Sequence, residues 1–325
     1  TGKYNIVGGA GDNTLKAGKQ DSIVKGEDGD DIIIGDAGAD ILTGGVGSDT
    51  FTGNAGNDTF NVDSGTDIIT DLGGSSGSDT DVLVVSSGAT VNATGIKGFT
   101  AGSGTKNLGG TANLTADNSG RTINVSGANT GAFNITGGTG TDTLTGGSGD
   151  DTIKGNGNDD IIKGEGGDDT LQGEAGDDTL TGGTGNDTFK VETGQDIIVD
   201  LGGASGGNTD VLIVSGSADA TAANIVSFTA NGSTKNTSSG TVTLTAKAST
   251  NATINLSASA SGAYAINGNS GQDIITGGSG NDTLKGEGAN DTIKGEGGND
   301  IITGGTGDDI ITGGSGNDTF NVNSG

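Results

Sequence analysis

The sequence predicts an all-β fold of short strands stacked coil upon coil as a solenoid, and three observations predict it. A nine-residue unit repeats with an apolar residue at a fixed place. A larger module, one block of such units plus a spacer, repeats around it. No stretch carries a helical apolar period, whereas fixed short periods mark solenoids and arrays.

The nine-residue unit, or nonad, comes first. Residues 137–199 divide without gaps into GGTGTDTLT, GGSGDDTIK, GNGNDDIIK, GEGGDDTLQ, GEAGDDTLT, GGTGNDTFK and VETGQDIIV. Residues 8–70 give seven nonads and 268–321 give six, with 322–325 opening another. The pattern is G-G-x-G-x-D-x-U-x, where U is large and apolar. Position six is Asp in 18 of 20 complete nonads, Asn13 and Ser22 being the exceptions, and position eight is Leu, Ile, Val or Phe in all 20. Irregular acidic residues would read as a solubilising surface; this regularity does not.

The long period sets the domain organisation. The run FNVDSGTDIITDLGG from Phe60 returns from Phe189 as FKVETGQDIIVDLGG, and FNVNSG returns at Phe320. Residues 1–7 end a spacer, and 8–70, 137–199 and 268–325 are nonad blocks. Spacers lie at 71–136 and 200–267. The opened nonad at 322–325 makes the sequence read as part of a longer chain.

Composition explains why something besides a core must hold such blocks. Glycine supplies 70 of 325 residues and only 29% are hydrophobic. Low hydrophobicity with high charge normally means disorder, but disorder does not keep a strict period. Asp and Glu number 42 against 14 Lys and Arg, a net charge of −28. Such a chain repels nucleic acid and anionic membranes, which need basic patches, and attracts cations. His and Cys are absent, which removes the usual ligands of zinc, haem and iron–sulfur clusters and excludes Ser-His-Asp and Cys-His catalysis. No enzyme is expected. No run of about 18 apolar residues is present to span a membrane.

Each nonad has a glycine half and a strand half. Glycine allows positive φ and leaves carbonyls unobstructed, and Asp at position six adds a carboxylate beside them. Calcium takes 6–8 oxygen ligands of this mixed kind. The x-U-x that follows reads as a three-residue strand with its middle side chain inward. With one apolar side chain per nonad, the blocks are expected to need the metal in order to fold.

These residues resemble the RTX, or haemolysin-type, calcium-binding repeat, over all three blocks. The resemblance implies a right-handed parallel β-roll in which two nonads make a turn and several Ca²⁺ ions sit between coils. Paired carboxylates would then lie two nonads apart. That implies rows Asp31–Asp49–Asp67 and Asp40–Asp58 in the first block. In the second it implies Asp142–Asp160–Asp178–Asp196 and Asp151–Asp169–Asp187. The third would hold Asp273–Asp291–Asp309 and Asp282–Asp300–Asp318. Asn13 and Ser22 depart from the pattern, so the first turns are expected to bind weakly or not at all.

The same spacing stacks Leu144, Ile162, Leu180 and Ile198 on one inward stripe, with Ile153, Leu171 and Phe189 opposite. Phe51, Phe60, Phe189 and Phe320 fall near block ends, where larger rings are expected to close the core. In the spacers, runs such as Asp81-Val-Leu-Val-Val, Thr122-Ile-Asn-Val-Ser and Ala132-Phe-Asn-Ile-Thr alternate with period two and read as strands. Ile123/Val125 and Phe133/Ile135 lead into the second block at near-solenoid spacing. The spacers are expected to continue the solenoid with longer turns; a small β-sandwich is the alternative. Asp79 and Asp81, or Asn208 and Asp210, read as a capping turn, with a terminal calcium site as the competing reading. Asn-x-Ser/Thr triplets at Asn92, Asn113 and Asn251 are expected by chance in so Thr- and Asn-rich a chain.

The expected role is an elongated, secreted, cell-surface structural protein such as an S-layer, filament or sheath. Its partners would be copies of itself, with cell-surface glycans as a second class. The alternatives are the extender of a secreted adhesin, or the calcium-folding part of an enzyme or toxin exported by a type I system.

Overall fold

Period-two geometry turns one residue of each x-U-x inward and leaves its neighbours outside, so a stack of such strands builds its core from position eight alone. The structure, a computed structural model, describes residues 3–74, 77, 79–203, 208–259 and 262–321. The nonad opening at 322–325 lies outside them. The described residues form parallel strands and no helix.

The chain divides into two units, Thr1–Gly166 and Gly167–Gly325. In the first unit each strand of a block pairs with the next but one. Tyr4–Ala10, Ser22–Asp28, Ile41–Val46, Thr59–Val62 and Val82–Val85 follow one another in one sheet. Thr14–Lys16, Ile32–Ala37, Thr50–Ala55, Thr66–Ile69, Thr90–Ile96 and Thr111–Ala116 follow in a second. A third sheet runs from Phe99–Thr100 through Thr122–Asn124 and Thr143–Thr145 to Ile161–Gly166. The second unit repeats the scheme: Ile274–Gly278, Thr292–Gly297 and Ile310–Ser315 stack in one sheet, and Thr283–Gly288, Ile301–Thr306 and Thr319–Asn321 in another.

Registers place position eight on the position eight two nonads later: Ile33 on Phe51, Leu42 on Phe60, Leu144 on Ile162, Leu171 on Phe189, Leu180 on Ile198 and Leu284 on Ile302. All of these side chains are buried. The inward ladders read from the spacing are therefore present.

Two local expectations change. Most block strands have six residues, not three, because pairing continues into the glycine half, as where Glu287 pairs with Gly305 and Gly288 with Thr306. The backbone at position two there is left-handed, with φ of 74° at Glu287 and 76° at Glu296. The phenylalanines do not cap a coil that has lost its neighbour. Phe60 lies against Leu83 and Phe189 against Leu212, each one lengthened coil on, in the first strand of the spacer. Phe51 and Phe60 meet edge to face at 6.1 Å, and Phe133 and Phe228 are buried inside the spacers. Large rings thus sit where the coils lengthen. Phe320, on the last described strand, is 49% exposed.

The spacers continue the solenoid. Val91 pairs with Asp67 on one side and Ala112 on the other, Leu114 with Ile135, and Ile135 with Ile153. In the second unit Ala222 follows Ile198, and Leu244 leads to Ile266 and Leu284. The sandwich alternative falls. The Asn-x-Thr triplets at Asn92 and Asn113 are outward–inward–outward strand residues. Their amides form a ladder, Asn113 donating to Asn92 and Asn134 to Asn113, both at 2.8 Å.

Candidate metal sites in the turns

Each position-six aspartate stands at the entry to a strand, and its two oxygens have different tasks. Oδ1 accepts the backbone N–H of the position-six residue two nonads earlier. Asp31 donates to Asp49, Asp40 to Asp58 and Asp273 to Asp291, each at 2.8 Å, and Asp142 donates to Asp160 at 2.7 Å. Asp49–Asp67, Asp178–Asp196, Asp169–Asp187, Asp282–Asp300, Asp291–Asp309 and Asp300–Asp318 follow the same rule at 2.8–3.1 Å. The rows implied by the resemblance are brought together in this way within each unit.

Oδ2 is the other half of the site. In Asp31, Asp40, Asp49, Asp67, Asp187, Asp273, Asp282, Asp291 and Asp300 it is buried and has no hydrogen-bond partner. Where it points is shown by the glycine at position one. A Cβ built on Gly35 would stand 2.6 Å from Asp40 Oδ2 and 2.7 Å from the Gly53 carbonyl oxygen. On Gly268 it would stand 2.7 Å from Asp273 Oδ2 and 2.9 Å from the Gly286 carbonyl. Gly26, Gly286 and Gly295 face the same pairs of atoms. A carboxylate oxygen and a carbonyl one coil on therefore converge on a space that only glycine leaves open.

In Asp142 and Asp151 the second oxygen also accepts a backbone N–H, from Gly138 at 2.7 Å and Gly147 at 2.6 Å. These are the first two aspartates of their block. The coil before them supplies Arg121 and Phe133 in place of acids, both as N–H donors to their Oδ1 atoms.

A buried carboxylate with an unsatisfied oxygen is costly unless a cation compensates. Burial, ahead of the neighbouring carboxylates, pushes Asp58, Asp67 and Asp196 up to about 7. Burial likewise pushes Asp282 up to about 7 and Asp40, Asp187 and Asp291 up to about 6. Oxygen donors only, carboxylate beside carbonyl, suit a hard cation such as Ca²⁺, so the residues present fit that ion. No three acidic side chains converge as a metal cluster among the described residues; here the backbone would supply much of the donor set.

Sequence reasoning missed position five. Asp12 Oδ1 accepts the Asp30 N–H at 3.0 Å, Asp30 that of Ser48 at 2.7 Å, and Asn281 that of Asn299 at 2.7 Å. This exposed ladder runs opposite in sense to the position-six ladder and asks for Asp or Asn alike, which was the available signal. The capping reading of the block ends is favoured by the geometry. Asp71 accepts Gly53 and Asn54 N–H at 2.9 and 2.6 Å, and Asp81 accepts Asp58 and Gly73 N–H at 2.9 and 2.7 Å. Asp200 and Asp210 repeat both arrangements.

Parallel nonad coils whose turns pair an orphaned carboxylate oxygen with glycine carbonyls define a calcium-binding repeat solenoid. The RTX calcium-binding nonapeptide repeat matches residues 7–42, 34–69, 136–171, 163–198, 267–302 and 294–325, more than half of the chain. The chain belongs to that family. No curated protein matches it. No helix among the described residues is long and apolar enough to cross a membrane.

Proposed function

We propose that the chain is a calcium-stabilised extracellular structural protein whose blocks bind several Ca²⁺ ions and whose copies assemble as an S-layer, surface filament or sheath. The observation that carries the calcium part is the row of buried Oδ2 atoms facing open glycine cradles. Binding energy there becomes folding energy, as in other sites that do not exist in the unfolded chain. The extracellular part follows from affinity. Micromolar sensor-type sites stay empty at cytosolic calcium and fill outside the cell, so export unfolded and folding outside are one process. The structural part follows from sequence: tandem modules carry no His or Cys, and catalysis is no part of the proposal.

Circular dichroism and electron microscopy with calcium and with EGTA test it. The β-structure of the blocks and ordered assemblies should both require calcium. Ordered β-structure in the blocks unchanged by EGTA would remove the calcium part, and folded particles that stay single at high concentration would remove the lattice.

A further inference from the structure

The site design needs three things at once: the position-six Oδ2, a position-one carbonyl one coil on, and no Cβ at position one. Nonads 26–34, 35–43, 268–276, 277–285, 286–294 and 295–303 meet all three. The final nonads of the first two blocks do not. Their position one is Val62 and Val191, with both side chains buried. Asp67 and Asp196, at position six of the same nonads, are buried as well, and Asp67 Oδ2, like those of the rows, has no hydrogen-bond partner, but the residue at its position one carries a side chain. Each keeps the ladder role, Asp67 Oδ1 accepting the Asp49 N–H at 2.9 Å and Asp196 Oδ1 that of Asp178 at 2.8 Å. One coil beyond, where complete nonads present another glycine, Val62 pairs with Val85 and Val191 with Val214, in the first strand of each spacer.

We propose that Val62 and Val191 end the calcium rows: Asp67 and Asp196 position the closing coil and hold no ion. The proposal rests on the calcium reading above and sharpens it, since each block then encodes its own metal count. Past the stop, backbone N–H groups that the ladder would leave open are taken by Asp71 and Asp81, and by Asp200 and Asp210. Apolar side chains then take over. Leu72, Leu83, Val85 and Val91, like Leu201, Leu212 and Val214, are all buried.

Native mass spectrometry of the full chain in calcium counts the ions. Asp67→Asn and Asp196→Asn should leave the count unchanged, whereas Asp40→Asn and Asp291→Asn should each lower it. Loss of an ion in either of the first two variants overturns the proposal. Because a variant can misfold, crystals of the unaltered chain soaked in terbium give a second reading. Anomalous peaks should lie beside Asp31 and Asp40, with none at ligand distance, about 2.3–2.6 Å, from Asp67 or Asp196. Peaks at those two as well would refute the stop alone. Peaks nowhere in the blocks would refute the calcium reading and the stop together.

Discussion

Two alanine substitutions in one nonad separate metal binding from glycine's general effect on the chain. Gly286 and Gly288 occupy positions one and three of GEGANDTIK, and neither has positive φ. A Cβ at 286 would be driven into Asp291 Oδ2 and the Gly304 carbonyl oxygen. That carbonyl cannot swing aside cheaply, because Thr303 and Gly305 on either side are paired with Lys285 and Glu287. At 288 the nearest atom is Thr306 Oγ1 at 3.6 Å, an ordinary contact. Overpacking of this kind costs about 1–3 kcal/mol, which at about 1.4 kcal/mol per tenfold is roughly a 5- to 140-fold loss of affinity at that site. Gly288→Ala should be neutral, or stabilise by about 0.4–1 kcal/mol through the unfolded chain. Calcium titrations of the two full-length variants, followed by far-ultraviolet circular dichroism, read the difference. Equal midpoints would refute the cradle at position one, because glycine is lost in both.

Three other outcomes follow from the same geometry. In EGTA, hydrogen exchange should be fast at Asp291, Ile293 and their neighbours and slow at Val91, Leu114 and Leu244, because the spacer coils bury many more apolar side chains; uniform exchange would contradict that division. Without calcium, acid should replace metal. The folded carboxyls of Asp58, Asp67, Asp196 and Asp282 lie near 7, above an unfolded value near 4. Their protonation therefore favours the fold fully below about pH 4, an advantage lost as pH rises through 7; β-structure in EGTA should fall across that window, and a rise would reverse the sign. Leu284→Ala empties a fully buried position and should cost about 2–5 kcal/mol, whereas Ile301→Thr, 45% exposed, should stay within about 0.5 kcal/mol, both measured by chemical denaturation in calcium.

The blocks were legible because one interval sets everything in them. Once Leu144 and Ile162 are both position eight, their contact and the Asp142–Asp160 bond follow together. The spacers lack that constraint. Their coils are longer and unequal, as from Asp67 to Val91 and then from Val91 to Ala112, so no fixed count identifies the partner. Only runs close to the block, such as Ile135 before Ile153, could be placed. The division of labour within each aspartate was hidden for another reason. An Asp in a motif looks like a ligand, yet its Oδ1 joins coils through a backbone N–H. Only Oδ2 faces position one. Val62 is as plain in the sequence as Gly35, but its meaning needs the atoms it would displace. A carboxylate at the right spacing is therefore necessary for a calcium row, and the glycine at position one of the same nonad decides whether the row continues.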